Sequence, residues 1–294
     1  MSNPEQPAAS VEGSADAAAP DVAAPPAGWQ PYPPDPAEEG HTVVGNLRVF
    51  EGFHSPQLGN RRDVLVYLPP SYEAGGKRYP VIYMQDGQNL FNEATSFADE
   101  WRVDNTMDAL SRARGLEAVV VGVPNAGEGR LAEYSPFEDA EHGGGSGDRY
   151  LDFLVDTLKP VVDRDFRTLP DRAHTFVAGS SMGGLISLYA LFRRPDVFGG
   201  AAVMSPALWF ADRAVIPFVE QAPFVPGRLY LDVGTEEGAE AVTDVRRLRG
   251  VLLRKGYRPR RDLLYVEQPG AGHTETAWRK RFRSAAPFLL GEPA

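Results

Sequence analysis

The chain has 294 residues, a formal net charge of −10 and 43% apolar residues, enough for one large buried core. Residues 1–40 hold seven acidic residues and no Lys or Arg, so the remainder carries only −3, which leaves no electrostatic footprint for nucleic acid. The absence of cysteine excludes disulfides, a thiol nucleophile and Cys-ligated metal, and no run approaches the roughly 18 continuous apolar residues of a membrane span.

Residues 1–40 contain nine prolines and ten alanines and are expected to be a disordered tail, because they bury too little apolar surface to offset their ordering entropy. Their start, Met1-Ser-Asn-Pro-Glu-Gln6, lacks the basic and apolar regions of a secretory signal, so a cytoplasmic protein is the expectation. From His41 onward a single domain, 41–294, reads as alternating strand and helix.

Thr42–Phe50 and Arg61–Leu68 predict strands joined by a Gly59-Asn60 turn, an antiparallel start to a sheet. Short apolar runs typical of buried parallel strands follow at residues 80–84, 118–122, 174–178, 200–204, 228–232 and 262–266. Between them, helical periodicity marks 148–166, with Pro160 expected to kink it, then 182–193 and 237–255 with Gly256 as its stop. The alternation predicts an α/β fold: a mostly parallel central sheet of about eight strands with helices on both faces.

Gly179-Ser180-Ser181-Met182-Gly183 matches G-x-S-x-G. The pattern alone is weak, but here it lies between an apolar strand and a helix, the setting in which a serine is exposed on a sharp strand–turn–helix elbow. Only Ser181 has glycine at both −2 and +2, and it precedes a helix N-terminus that stabilises developing negative charge.

A serine nucleophile needs a base, an acid and two oxyanion donors. Of five histidines, His273 in Pro269-Gly-Ala-Gly-His-Thr-Glu275 follows the last strand, where a base would reach Ser181. His142, in a Gly-rich run, is the weaker candidate, and a metal site using it with nearby carboxylates is a remote reading. The acid should follow strand 228–232, where position alone leaves Asp232, Glu236 and Glu237 open. The amides of Met182 and of Gln88, after Gly87, are the expected oxyanion donors. Trp101, Asn125, Arg130, Tyr134, Trp209 and Trp278 fall in or near loops that should border the site, with Trp101, Arg130, Tyr134 and Trp209 the candidate substrate contacts.

Val66-Tyr-Leu-Pro-Pro-Ser-Tyr72, Tyr79-Pro-Val-Ile-Tyr-Met-Gln-Asp-Gly-Gln-Asn-Leu-Phe91, Glu133-Tyr-Ser-Pro136, Arg194-Pro-Asp-Val-Phe198, Ser205-Pro-Ala-Leu-Trp-Phe210 and Gly270-Ala-Gly-His-Thr-Glu275, together with the serine motif, resemble the "Putative esterase" family. That group of α/β-hydrolases includes esterase D, enterochelin-type esterases, family 1 carbohydrate esterases and the antigen 85 acyltransferases. The resemblance implies a G-x-x-D/E acid, which Gly234-Thr-Glu-Glu237 matches, and so favours Glu237. It implies a serine carboxylic-ester hydrolase without cofactor or metal, acting on a small-molecule ester of aryl or catecholate, feruloyl or acetyl type. The alternatives are an acyltransferase that passes the acyl group to a sugar or alcohol, and an idle binding protein on the same scaffold. The Pro/Ala-rich segment stands where the cytoplasmic enterochelin esterases carry a folded domain, so the likeness is to the compact members.

Overall fold

The computed structural model describes residues 27–32 and 40–291. Among them, nine strands form one sheet: β1 (Gln30–Tyr32), β2 (Asn46–Ser55), β3 (Asn60–Leu68), β4 (Val81–Gln85), β5 (Val119–Val123), β6 (Thr175–Ser180), β7 (Gly200–Met204), β8 (Arg228–Gly234) and β9 (Leu263–Gln268). Their spatial order is β1-β2-β3-β5-β4-β6-β7-β8-β9. The β1/β2, β2/β3 and β3/β5 pairs are antiparallel, and all later pairs are parallel. This is the mostly parallel α/β sheet expected from the alternation, with one strand more than the sequence pattern predicts.

The central strands β4, β5, β6 and β7 are buried at every position, which is why they read as continuous apolar runs. Register aligns Met84, Ala178, Ala202 and Tyr230 across β4, β6, β7 and β8, so these strands end along one edge. Among the described residues the five longest helices cover the faces: α1 (Val103–Arg114), α2 (147–165), α3 (Met182–Arg193), α4 (Ala239–Lys255) and α5 (Glu275–Leu290). Apolar side chains of α2, α3 and α4 pack in one core cluster, while those of α1 and α5 pack in the other across the sheet. No described helix is long and apolar enough to cross a membrane.

Two local readings change. Most of the expected 1–40 tail lies outside the described residues, but residues 27–32 are part of the fold: β1 pairs with β2, and Trp29 is 2% exposed. The Trp29 ring meets Phe50 and Phe166 edge-on at 5.4 and 4.9 Å, and its Nε1 donates to Asp165 at 3.0 Å. Around Pro160, expected to kink its helix, the helix is irregular and continues to Asp165. The ladder widens to π turns over Phe153–Leu158, just before the proline whose ring lacks an N–H donor. The predicted 237–255 helix begins only at Ala239, which leaves Glu237 in the preceding loop, and it stops at Gly256 in the left-handed region as expected.

α1 has no counterpart in the sequence reading. In its first turn the carboxylate of Asp104 accepts the Val44 and Asn105 amides, yet burial pushes its pKa up to about 7. The unfolded value is near 3.9, so the stability this group contributes is full below that value and is lost as pH rises through about 7. The urea midpoint is therefore expected to fall between about pH 4 and pH 7 and to level off above it, and Asp104→Asn should flatten that fall. Trp29→Ala should lower stability by about 3–5 kcal/mol in urea unfolding; an unchanged midpoint would show that the β1 segment adds nothing to the core.

Candidate active site

β6 runs directly into α3 through Ser181, whose backbone stands at φ 56°, ψ −122°. A Cβ at Gly179 would lie 2.6 Å from the Gly183 carbonyl oxygen, and one at Gly183 would lie 2.9 Å from Gln85 Cβ. Only glycine fits these two places, so the motif is a steric requirement of the turn. The elbow is tied to the loop after β7 by Ser181 N–H to Met204 O and Ala207 N–H to Ser181 O, both 3.0 Å.

The loop after β4 lies beside it. A Cβ on Gly87 would fall 2.6 Å from Gly122 C and 2.7 Å from Val123 N, so glycine lets the loop lie flat on the end of β5. Its neighbour Asp86, in the left-handed region at φ 55°, is gripped by Arg130 through Nε at 2.7 Å and Nη2 at 2.9 Å, and by Asn125 Nδ2 at 2.7 Å. The Gln88 side chain accepts the Asn125 amide at 3.2 Å. The N–H groups of Gln88 and Met182 both stand in the first turn of a helical segment, where no intrahelical acceptor exists.

On the opposite side, Glu237 Oε2 is 2.8 Å from His273 Nδ1. The other oxygen, Oε1, accepts from Gly234 N at 2.7 Å, Ser205 Oγ at 2.6 Å and Arg281 Nη2 at 3.3 Å. Burial alone would raise the Glu237 pKa, but the bonds from His273, Ser205 and Gly234 outweigh it and hold the carboxyl below the ordinary glutamate range. Trp278 stands edge-to-face with the imidazole, the ring centroids 4.9 Å apart.

Of the three acids left open by position, Glu237 meets the histidine. Asp232 is wholly buried at the end of β8, with Oδ1 accepting the Ser205 amide at 2.9 Å and Oδ2 3.3 Å from Arg281 Nε. Burial pushes its pKa up to about 6 against the opposing pull of Arg281. Glu236 is exposed.

Ser181, His273, Gln88, Trp101 and Arg130 line one cavity of about 760 Å³, together with Phe97, which is 91% exposed at its rim. The other two candidate substrate residues lie elsewhere. Tyr134 is fully buried behind the loop, where its hydroxyl accepts the Asp86 amide at 3.0 Å. Trp209, 48% exposed, borders a smaller cavity of about 220 Å³ on the far side of His273 and Glu237. Arg130 borders the main cavity, but its guanidinium is already occupied by Asp86. His142 pairs with Asp139 at 2.9 Å, and no group of three or more potential metal ligands occurs among the described residues. Sequence reasoning did not reach Phe97 or Arg281. Arg281 does carry a faint signal, standing one helical turn after Trp278 on the same face.

The family model described as "Putative esterase" matches residues 55–289. YbbA, an uncharacterized protein of Bacillus subtilis (strain 168), is 28% identical over 249 residues, which is 80% of this chain and 95% of YbbA. The siderophore triacetylfusarinine C esterase of Aspergillus fumigatus is 32% identical over 150 residues, 49% of each protein, so the match spans about half of that relative. The solved enterobactin esterase FES from Shigella flexneri, in the presence of enterobactin, shares the fold at TM-score 0.68 and 20% identity, over 84% of this chain and 60% of that one. The chain therefore belongs to the "Putative esterase" family and is a carboxylic-ester hydrolase of the α/β-hydrolase fold.

Proposed function

We propose that the protein is a serine esterase with Ser181 as nucleophile, His273 as general base and Glu237 as the acid, working through an acyl-enzyme. The observation that carries this reading is the 2.8 Å contact between Glu237 Oε2 and His273 Nδ1, beside a serine on a strained elbow that lines the same cavity as that histidine. A hydrogen on Nδ1, donated to the carboxylate, leaves Nε2 as the basic nitrogen. Nε2 takes the Ser181 hydroxyl proton as Oγ bonds to the ester carbonyl carbon, and the developing oxyanion is held by the Gln88 and Met182 amides. Collapse breaks the bond to the leaving alkoxide, which receives the proton from His273. Water, activated by the same nitrogen, then releases the acid and restores Ser181. Glu237 keeps the imidazole in this tautomer and offsets the charge of the imidazolium.

For substrate class, the Trp101 and Trp278 surfaces in the cavity and the exposed Phe97 ring at its rim favour an ester bearing an aromatic group. Relatives named as siderophore and feruloyl esterases point the same way. We place catecholate or related siderophore esters first and feruloyl esters second.

Ser181→Ala should lower turnover of p-nitrophenyl acetate by about 10³-fold or more, while circular dichroism stays that of wild type. Hydrolysis at the wild-type rate would remove Ser181 from the mechanism. Phe97→Ala should raise KM for a catecholate or feruloyl ester about threefold to tenfold with little change in kcat. An equal change on an aliphatic acetate ester would show that no aromatic group is recognised there.

A further inference from the structure

Behind Glu237, on the side away from His273, lies a small closed network. Ser205 follows β7 with its backbone in the left-handed region at φ 39°, held there by Asp232, whose Oδ1 accepts the Ser205 amide at 2.9 Å. Its hydroxyl oxygen is 3.0 Å from Trp278 Nε1, 2.8 Å from Arg281 Nη2 and 2.6 Å from Glu237 Oε1. Ser205, Trp278 and Arg281 are 2%, 6% and 4% exposed, so water does not compete for these bonds.

The donor and acceptor inventory fixes where the hydroxyl hydrogen goes. An indole N–H and a guanidinium N–H can only donate, so both lone pairs of Ser205 Oγ are taken. Its one hydrogen must then be given to Glu237 Oε1. That oxygen already accepts from Gly234 N and Arg281 Nη2, so it has no place for a proton of its own. The network therefore accepts Glu237 only as a carboxylate and only with Oε2 turned to His273.

Resting on the triad reading above, we infer that Ser205 is a positioning residue: its hydroxyl, aligned by Trp278 and Arg281, fixes the rotamer of Glu237 and so the tautomer and direction of the His273 ring. The Ser205 hydroxyl is bonded to Glu237, Trp278 and Arg281 rather than to the imidazole, and Ser205 is not part of the lining of the cavity that Ser181 borders, so its effect on catalysis passes through Glu237. Arg281 has a second task, since it lies between two buried carboxylates, with Nε 3.3 Å from Asp232 Oδ2 and Nη2 3.3 Å from Glu237 Oε1.

The test is a double-mutant cycle on p-nitrophenyl acetate hydrolysis. Ser205→Ala should lower kcat roughly 10- to 100-fold with KM within about twofold, a part of what full loss of general-base catalysis costs. Ser205→Gly should do the same, although glycine relieves the left-handed backbone. That variant also supplies the measurement if the alanine protein fails to fold. In a Glu237→Ala background, removing the Ser205 hydroxyl should cause no further loss. The inference is overturned if Ser205→Gly turns over like wild type, or if the same fold-loss persists without Glu237. Wild-type turnover by Glu237→Ala alone would instead refute the triad acid, a separate result.

Discussion

The backbone path through residues 179–183 is the constraint on which the arrangement at this edge of the sheet depends. A non-glycine residue at φ 56°, ψ −122° is a strained conformation of the kind that costs on the order of 1–3 kcal/mol and persists only where its surroundings over-determine it. Here it is held by two missing side chains, at Gly179 and Gly183, and by backbone bonds to Met204 and Ala207 across the end of β7. The segment that clamps the elbow includes Ser205, itself left-handed, which grips Glu237. One turn after β7 thus sets the backbone of Ser181 and the side chain of Glu237 together.

Charge at the site is arranged by burial more than by number. On one side of the cavity Asp86 and Arg130 neutralise each other with two short hydrogen bonds, and this pair braces the loop that carries Gln88 rather than presenting a free cation to a substrate. On the other, Arg281 faces both Asp232 and Glu237, so that two buried carboxylates share one cation. Isolated buried charges are costly, and this arrangement is tolerable because each carboxylate also accepts backbone or hydroxyl hydrogens. The shortfall of one positive charge is what an imidazolium at His273 would make good.

Local rules made much of this legible. Continuous apolar runs marked the buried strands, because residues covered on both faces leave no polar alternation to hide behind. The glycine spacing marked the elbow, because the close approach of residues 179 and 183 to each other is local, although Gln85 of β4 adds to the crowding. Glu237 could not be separated from Asp232 and Glu236 by spacing, since the choice depends on the Gly234–Glu237 turn and on partners from β7 and α5 that lie far away in sequence. Tyr134 shows the converse: it is near the loop after β4 in space, although 48 residues from Asp86 in sequence, but lies behind it, bound to the Asp86 amide. β1 escaped notice because three residues with a proline in the middle carry no periodicity, and Trp29 finds its place only once Phe50 and Phe166 are folded around it.

Helix α5 has a consequence for how the protein is made. It begins two residues after His273 and carries Trp278 and Arg281, which complete the grip on Glu237. A ribosome would therefore have translated the elbow nearly a hundred codons, at roughly 5–20 residues per second, before the last of these contacts could form. During that interval the nascent chain holds Ser181 without the contacts that set Glu237 against His273. The Glu237–His273 pair is therefore completed late in synthesis, when the surrounding core is already available to fold.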